Sequence, residues 1–278
     1  MKYLEFVVIV SLLHSIASAQ PEVPVNQWRD KTIMLIGAHS DDDFRSHGTL
    51  AMLQANGNEI YIVTLTTGNV GTQDPDLSRF ELAQIRRNEE IAALAELGIP
   101  ADHYINLGYD DGLLEFADRL EVVGKLVREI RRIRPDVLFA FDPGPNYQRW
   151  HKTDHRAAAY LAADATRAAM WRLLFEGQII QEGLKAYQIP EFMFYDSPEE
   201  AVNTWVDITD FAQKKVRSGM KYVSQWGPGW EDYKGPNLSE QEAKDMEERI
   251  RRRLNRREGK VVESFRYYKG MPDSMGRD

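Results

Sequence analysis

The 278-residue chain is 43% hydrophobic and 28% charged, an ordinary globular composition with length for one large domain or two small ones. A net charge of −8 and a pI near 5.4 argue against general affinity for nucleic acid, whose backbone calls for clustered Lys and Arg. Cysteine is absent, which excludes disulfides and thiolate metal sites and leaves His and carboxylates as the ligands for any metal.

Residues 1–19 read as an export leader outside the fold. Lys2 supplies a positive start, residues 6–13 a short apolar core, and Ala17-Ser18-Ala19 a small-x-small cleavage signature before Gln20. The apolar run is too short to span ~30 Å of hydrocarbon, and no cysteine follows it to carry a lipid. The expectation is cleavage, a periplasmic or extracellular product without a membrane anchor, and one domain over residues 20–278.

Within that domain, the apolar run 33–37 predicts a buried strand, 48–54 a helix, and 60–65 a second strand rich in β-branched residues. Ser78 and Glu81 form a capping box opening a long helix to Leu97, with Gly98 as its stop. Leu120, Val123, Val127, Ile130 and Ile133 repeat at helical spacing until Pro135, and residues 137–141 follow as another strand. Further on, 191–195 and 205–208 predict strands and 209–224 a helix. Ser239 and Glu242 form a second capping box, opening a charged helix through Arg257. Strands alternating with such helices predict an α/β fold, a Rossmann-like, mostly parallel sheet with helices on both faces.

Sheets of this kind bind ligands beyond the carboxyl ends of their strands. Three polar clusters fall there: residues 39–43, 66–69 and 142–155. In the first, Ala38-His39-Ser40-Asp41-Asp42-Asp43, a His and an Asp three apart in a tight turn can point at one ion and leave the intervening Asp free for proton work. The third contains Trp150-His151-Lys152-Thr153-Asp154-His155 and opens an Ala-rich helix, where Asp154 would also serve as an N-cap. Two His and one carboxylate would leave a coordination position open for water, as in a catalytic zinc site. Residues 224–230, with Trp226 and Trp230, read as a packed loop more readily than as an aromatic lip on a sugar.

These motifs resemble the PIG-L/LmbE-like zinc deacetylases, which hydrolyse N-acetylglucosaminyl substrates. The family's Ala-His-Pro-Asp-Asp signature stands here as Ala38-His39-Ser40-Asp41-Asp42, and its later Asp-His-Arg as Asp154-His155-Arg156. Thr66-Thr67-Gly68-Asn69, Arg86-Arg87-Asn88-Glu89, Asp111-Gly112, Ser224-Gln225 and Glu263-Ser264-Phe265 follow family order, so the resemblance runs from about residue 31 to 268. It implies an LmbE-like fold and one catalytic zinc held by His39, Asp42 and His155. It also implies Asp41 as general base, and Arg86 and Asp111 on the sugar's hydroxyls with Glu89 near Arg86.

Two positions depart from the pattern. Ser40 replaces the usual Pro, and Lys152 stands where the family's first His would be, with His151 one residue earlier. Stabilisation of the oxyanion therefore falls to His151, beside Asp154, or to Lys152 as the alternative donor. The expected reaction is removal of the acetyl group from an N-acetylated amino sugar or glycan by metal-activated water, giving acetate and a free amine. The rivals are a non-catalytic sugar-binding module on the same scaffold and an amidase acting on a thiol–sugar conjugate. Acetate release would separate enzyme from module.

Overall fold

A computed structural model describes residues 20–144 and 153–270. The leader expected at residues 1–19, and both candidate oxyanion donors, His151 and Lys152, lie outside the described residues. In chain order the first half contains β1 (Thr32–Gly37), α1 (His47–Ala55), β2 (Glu59–Thr66), α2 (Arg79–Leu97), β3 (Tyr104–Tyr109), α3 (Arg119–Ile133) and β4 (Val137–Phe141). The second contains α4 (Thr153–Ala169), α5 (Glu176–Ile180), β5 (Glu191–Tyr195), β6 (Thr204–Asp207), α6 (Ala212–Gly219), α7 (Val223–Trp226), α8 (Glu240–Arg252), β7 (Arg256–Arg257) and β8 (Lys260–Lys269).

The strands form one sheet in the order β3-β2-β1-β4-β5-β8-β6, with β7 paired to β8. Strands β1 to β5 run parallel, and β8 is antiparallel to β5, β6 and β7. Every residue of β4 is buried, as are residues 33–37 of β1. Side chains alternate across a strand, so burial without alternation means that both faces of the sheet are covered. The expected mostly parallel α/β architecture is what the chain adopts.

Local signals account for the starts of α2, α3 and α8. Ser78 and Glu81 complete a reciprocal capping box on α2, and Gly98 ends it at φ 89°, a left-handed conformation that costs glycine little. Helix α3 starts on Asp118, whose carboxylate accepts from the Leu120 and Glu121 amides. Val123, Val127 and Ile130 are buried as the periodicity requires, whereas Leu120, in the first turn, is 70% exposed. The single helix expected over 209–224 is broken into a 3-10 turn, α6 and α7. At Gly219, where α6 ends, even a Cβ would come within 2.8 Å of the Phe44 ring. Helix α8 ends at Arg252 rather than Arg257, because Glu258 and Gly259, both at positive φ, turn the chain into the β7–β8 hairpin.

From β1 the chain moves outward to β2 and β3, then crosses back to β4 and β5 on the other side. The connections after β1 and β4 therefore diverge from neighbouring strands and leave a crevice between them, the topological switch point of an open α/β sheet. Residues 38–43 follow β1 into that crevice, and α4 follows β4.

Candidate active site

The turn after β1 is tied by one side chain. Asp42 Oδ2 accepts from the Ala38 and His39 amides at 2.9 and 2.7 Å. Gly37 allows so tight a return, since a Cβ there would lie 3.2 Å from that of Asp42. Asp41 sits at the apex with φ 106°, a region that Asp and Asn tolerate better than most residues.

Across the crevice, the imidazole of His155 stacks on Phe141, the last residue of β4, with ring centroids 4.4 Å apart. Its Nε2 lies 3.0 Å from Asp42 Oδ1, the oxygen that faces away from the turn amides. His39 Nδ1 lies 3.4 Å from Asp42 Oδ2, and its Nε2 lies 3.0 Å from Asp111 and 3.3 Å from Asp154. Asp154 is buried in the first turn of α4. It receives the Gly112 and Leu114 amides at 2.7 and 3.2 Å, pinning the loop that presents Asp111. Asn69 closes the same loop, accepting from the Asp111 amide at 3.0 Å and donating to Asp110 at 2.7 Å.

Burial alone would lower the pKa of His39. The Asp42 charge, with hydrogen bonds to Asp111, Asp154 and Asp42, outweighs it and holds the imidazole well above its usual value. Burial opposes ionisation of Asp42, but His155 and His39 keep its carboxyl well below the usual range. A pocket that favours positive charge so strongly also suits a divalent cation. The ligand atoms of His39, Asp42 and His155 lie within 4.8 Å of one another, and all three residues are buried. Four-coordinate zinc with bonds of about 2.0–2.2 Å needs donors roughly 3–4 Å apart, so this set fits with small adjustment. A second group, His39, Asp111 and Asp154, shares His39. Its carboxylates are better placed to hold the other ring nitrogen of that histidine, the usual outer partner of a ligating imidazole.

These residues line one cavity of about 990 Å³, together with Asp41, Arg86, Trp226 and Trp230. Arg86 is buried, donates to the Gly71 carbonyl, and has the charges of Asp41, Glu89 and Asp111 around it. Glu89, one turn along α2, accepts from the Ser224 amide and hydroxyl, each at 2.7 Å. It makes no direct salt bridge with Arg86 and serves instead as a buried tether to α7. Trp226, at the end of α7, donates its indole N–H to Asp41 Oδ2 at 2.9 Å. Neither Asn69 nor Trp226 was assigned a role by sequence reasoning. The first stands in a recognised cluster, and the second in the stretch read as a packed loop.

Burial pushes the Glu89 carboxyl up to about 7, against the opposing Ser224 hydrogen bonds and the Arg86 charge. The folded chain then keeps this proton to about pH 7, while the unfolded chain releases it near 4.5. The resulting stabilisation is full below pH 4.5 and is lost as pH rises to 7, on the order of 3 kcal/mol for such a shift. Glu89→Gln should remove this loss. Urea unfolding of metal-free parent and variant at pH 5 and 8 checks it, and a parallel pH dependence in the two proteins would contradict it.

The chain matches the family model described as PIG-L, GlcNAc-PI de-N-acetylase, over residues 34–166. It is 30% identical to the diacetylchitobiose deacetylase of Thermococcus kodakarensis, over 73% of this chain and 74% of that one. It is also 30% identical to 1D-myo-inositol 2-acetamido-2-deoxy-alpha-D-glucopyranoside deacetylase 1 of Catenulispora acidiphila, over 76% and 81% of the two chains. Among solved structures, the N,N'-diacetylchitobiose deacetylase of Pyrococcus horikoshii superposes with a TM-score of 0.72 at 27% identity, covering 86% of this chain and 84% of that one. The hydratase GalB of Pseudomonas putida KT2440 shares the fold at a TM-score of 0.63 and 19% identity, covering 85% and 95%. A fold that also carries a hydratase cannot assign chemistry, so the site must do so. With two imidazoles and a carboxylate gathered at the switch point, and with sequence identity extending through most of both chains, this protein belongs to the PIG-L family of LmbE-type deacetylases.

Proposed function

We propose that this protein is an exported zinc-dependent hydrolase that removes the acetyl group from an N-acetylglucosamine-containing substrate. The observation that carries the reading is the convergence of His39, Asp42 and His155 in a cavity that also holds Asp41, Arg86 and Asp111. The activities of the relatives from Thermococcus and Catenulispora agree with it.

His39, Asp42 and His155 would hold the metal. When bound there, zinc supplies Lewis acidity, polarising the amide carbonyl and easing deprotonation of water near neutral pH. Asp111 and Asp154 orient the His39 ring from its Nε2 side. Asp41 takes the proton of the attacking water on its carboxylate and returns it to the departing nitrogen. Arg86 and Asp111 face the cavity as donor and acceptor for sugar hydroxyls, and His151, with Lys152 as the alternative, stabilises the oxyanion. Acetate and a free amino sugar are the products.

Acetate release from N,N'-diacetylchitobiose, measured before chelation, after it, and after adding back zinc, tests the function. Turnover should vanish on chelation and return with zinc. A zinc-loaded protein that releases no acetate from this disaccharide or from an N-acetylglucosaminyl inositol would overturn the reading. Export rests on the leader-like residues 1–19, and none of the described helices is long and apolar enough to cross a membrane. N-terminal sequencing of the mature protein should begin at Gln20.

A further inference from the structure

We infer that Trp226 is a positioning residue for the proton-accepting carboxylate, its indole N–H fixing the Asp41 side chain in the orientation that faces the substrate amide. The inference rests on Asp41 as the proton acceptor of the proposed reaction. Asp41 stands at the tip of a tight turn in a left-handed conformation. The Asp42 carboxylate ties the turn backbone beneath it, but that tie does not set the rotamer of Asp41. The indole, 2.9 Å from Asp41 Oδ2, comes from a segment 185 residues further along the chain.

The indole is itself held on several sides. It packs edge-on against Phe44 with centroids 4.6 Å apart and tilted against Tyr222 at 5.0 Å. The Arg253 guanidinium lies 5.3 Å from the ring centroid, and Arg249 donates to the Trp226 carbonyl at 3.1 Å. The helix carrying it is anchored by the Glu89–Ser224 hydrogen bonds. A buried tether on α2 thus fixes α7, α7 fixes the indole, and the indole fixes the base. A rigid donor suits this task because a carboxylate free to rotate spends part of its time misaligned for proton transfer.

The test is Trp226→Phe, which keeps an aromatic ring and removes the N–H. With zinc content and thermal midpoint recorded, kcat on diacetylchitobiose should fall about 10-fold, as for losing a neighbour that orients a reactive group, while KM stays within about two-fold of the parent. In an Asp41→Asn background the same change should add less than a two-fold loss, since nothing remains to be positioned. A residue that only supports the fold would instead lower activity equally in both backgrounds. If Trp226→Phe loses zinc or unfolds, benzothienylalanine at position 226 preserves the bicyclic shape with sulfur in place of N–H, and the same kcat loss is expected. An unchanged kcat in the folded variant, or equal losses in both backgrounds, overturns the proposal. A second readout needs no turnover. Among the six indole signals of the metal-free protein, the one absent from Trp226→Phe should shift in Asp41→Asn. If the parent released no acetate but this signal still moved, the proposed function would fail while the contact stood.

Discussion

Asp42→Asn is expected to abolish zinc retention and to lower acetate release by on the order of 10³-fold or more, a loss of several kcal/mol of transition-state stabilisation. Asp42 has two tasks on its two oxygens. Oδ2 ties the Ala38 and His39 amides, while Oδ1 faces His155. Asparagine can keep the first task, because its amide oxygen still accepts from the backbone. It cannot supply the negative charge that balances a divalent cation between two imidazoles. The folded turn should therefore persist while the metal is lost, and His39→Ala and His155→Ala should lose metal by the simpler route of removing a donor. Zinc per chain after dialysis, read beside the thermal midpoint of the apo-proteins, separates these effects. Stoichiometric zinc in all three variants would remove the site from the residues assigned to it.

Much of this arrangement was legible in the sequence because it is local. His39 and Asp42 share one turn, and that turn follows an apolar run that could only be a buried strand. The capping boxes at Ser78 and Ser239 formed as expected for the same reason, since each involves residues three apart. The relation between the halves of the site was less direct. It depends on β4 returning to lie beside β1, and that is a property of sheet order. Strands β3 and β8 were not assigned from the sequence. The turn at Gly108 and the four residues of β3 that are only half-buried blur its apolar pattern, and the long β8 carries Glu263, Ser264 and Arg266 inside the sheet.

Glu263 also illustrates how burial of charge escapes one-dimensional reading. Glu263 accepts from the Gly48 and Thr49 amides at the start of α1 and from Lys215 at 2.6 Å. Helix, strand and ion pair are thus joined by one carboxylate, on the strand face that buried Val261, Phe265 and Tyr267 also occupy, where a charged side chain is not expected. Asp43 behaves similarly. The third aspartate of the triplet faces away from the metal-ligand set and is buried 2.8 Å from His47, whose other nitrogen meets Ser218 at 2.7 Å. Three adjacent aspartates therefore have three different environments: one at the cavity, one between the histidines, and one in the core.

Asp41→Asn is the counterpart of the metal-ligand variants and should give the opposite pattern, with zinc retained and turnover lost. Asparagine tolerates the positive φ at this position about as well as aspartate, and its amide oxygen can still accept from the Trp226 indole. Neither the turn nor the metal-ligand set then has reason to move. What disappears is the ability to take a proton from water and return it to the leaving nitrogen, a contribution typically of ~10²–10⁴-fold. The loss should fall on kcat with little change in KM, because the proton moves only in the reaction step. Titration with zinc, a thermal midpoint close to the parent's and steady-state kinetics on diacetylchitobiose together make the check. Parental turnover would transfer the proton to another acceptor.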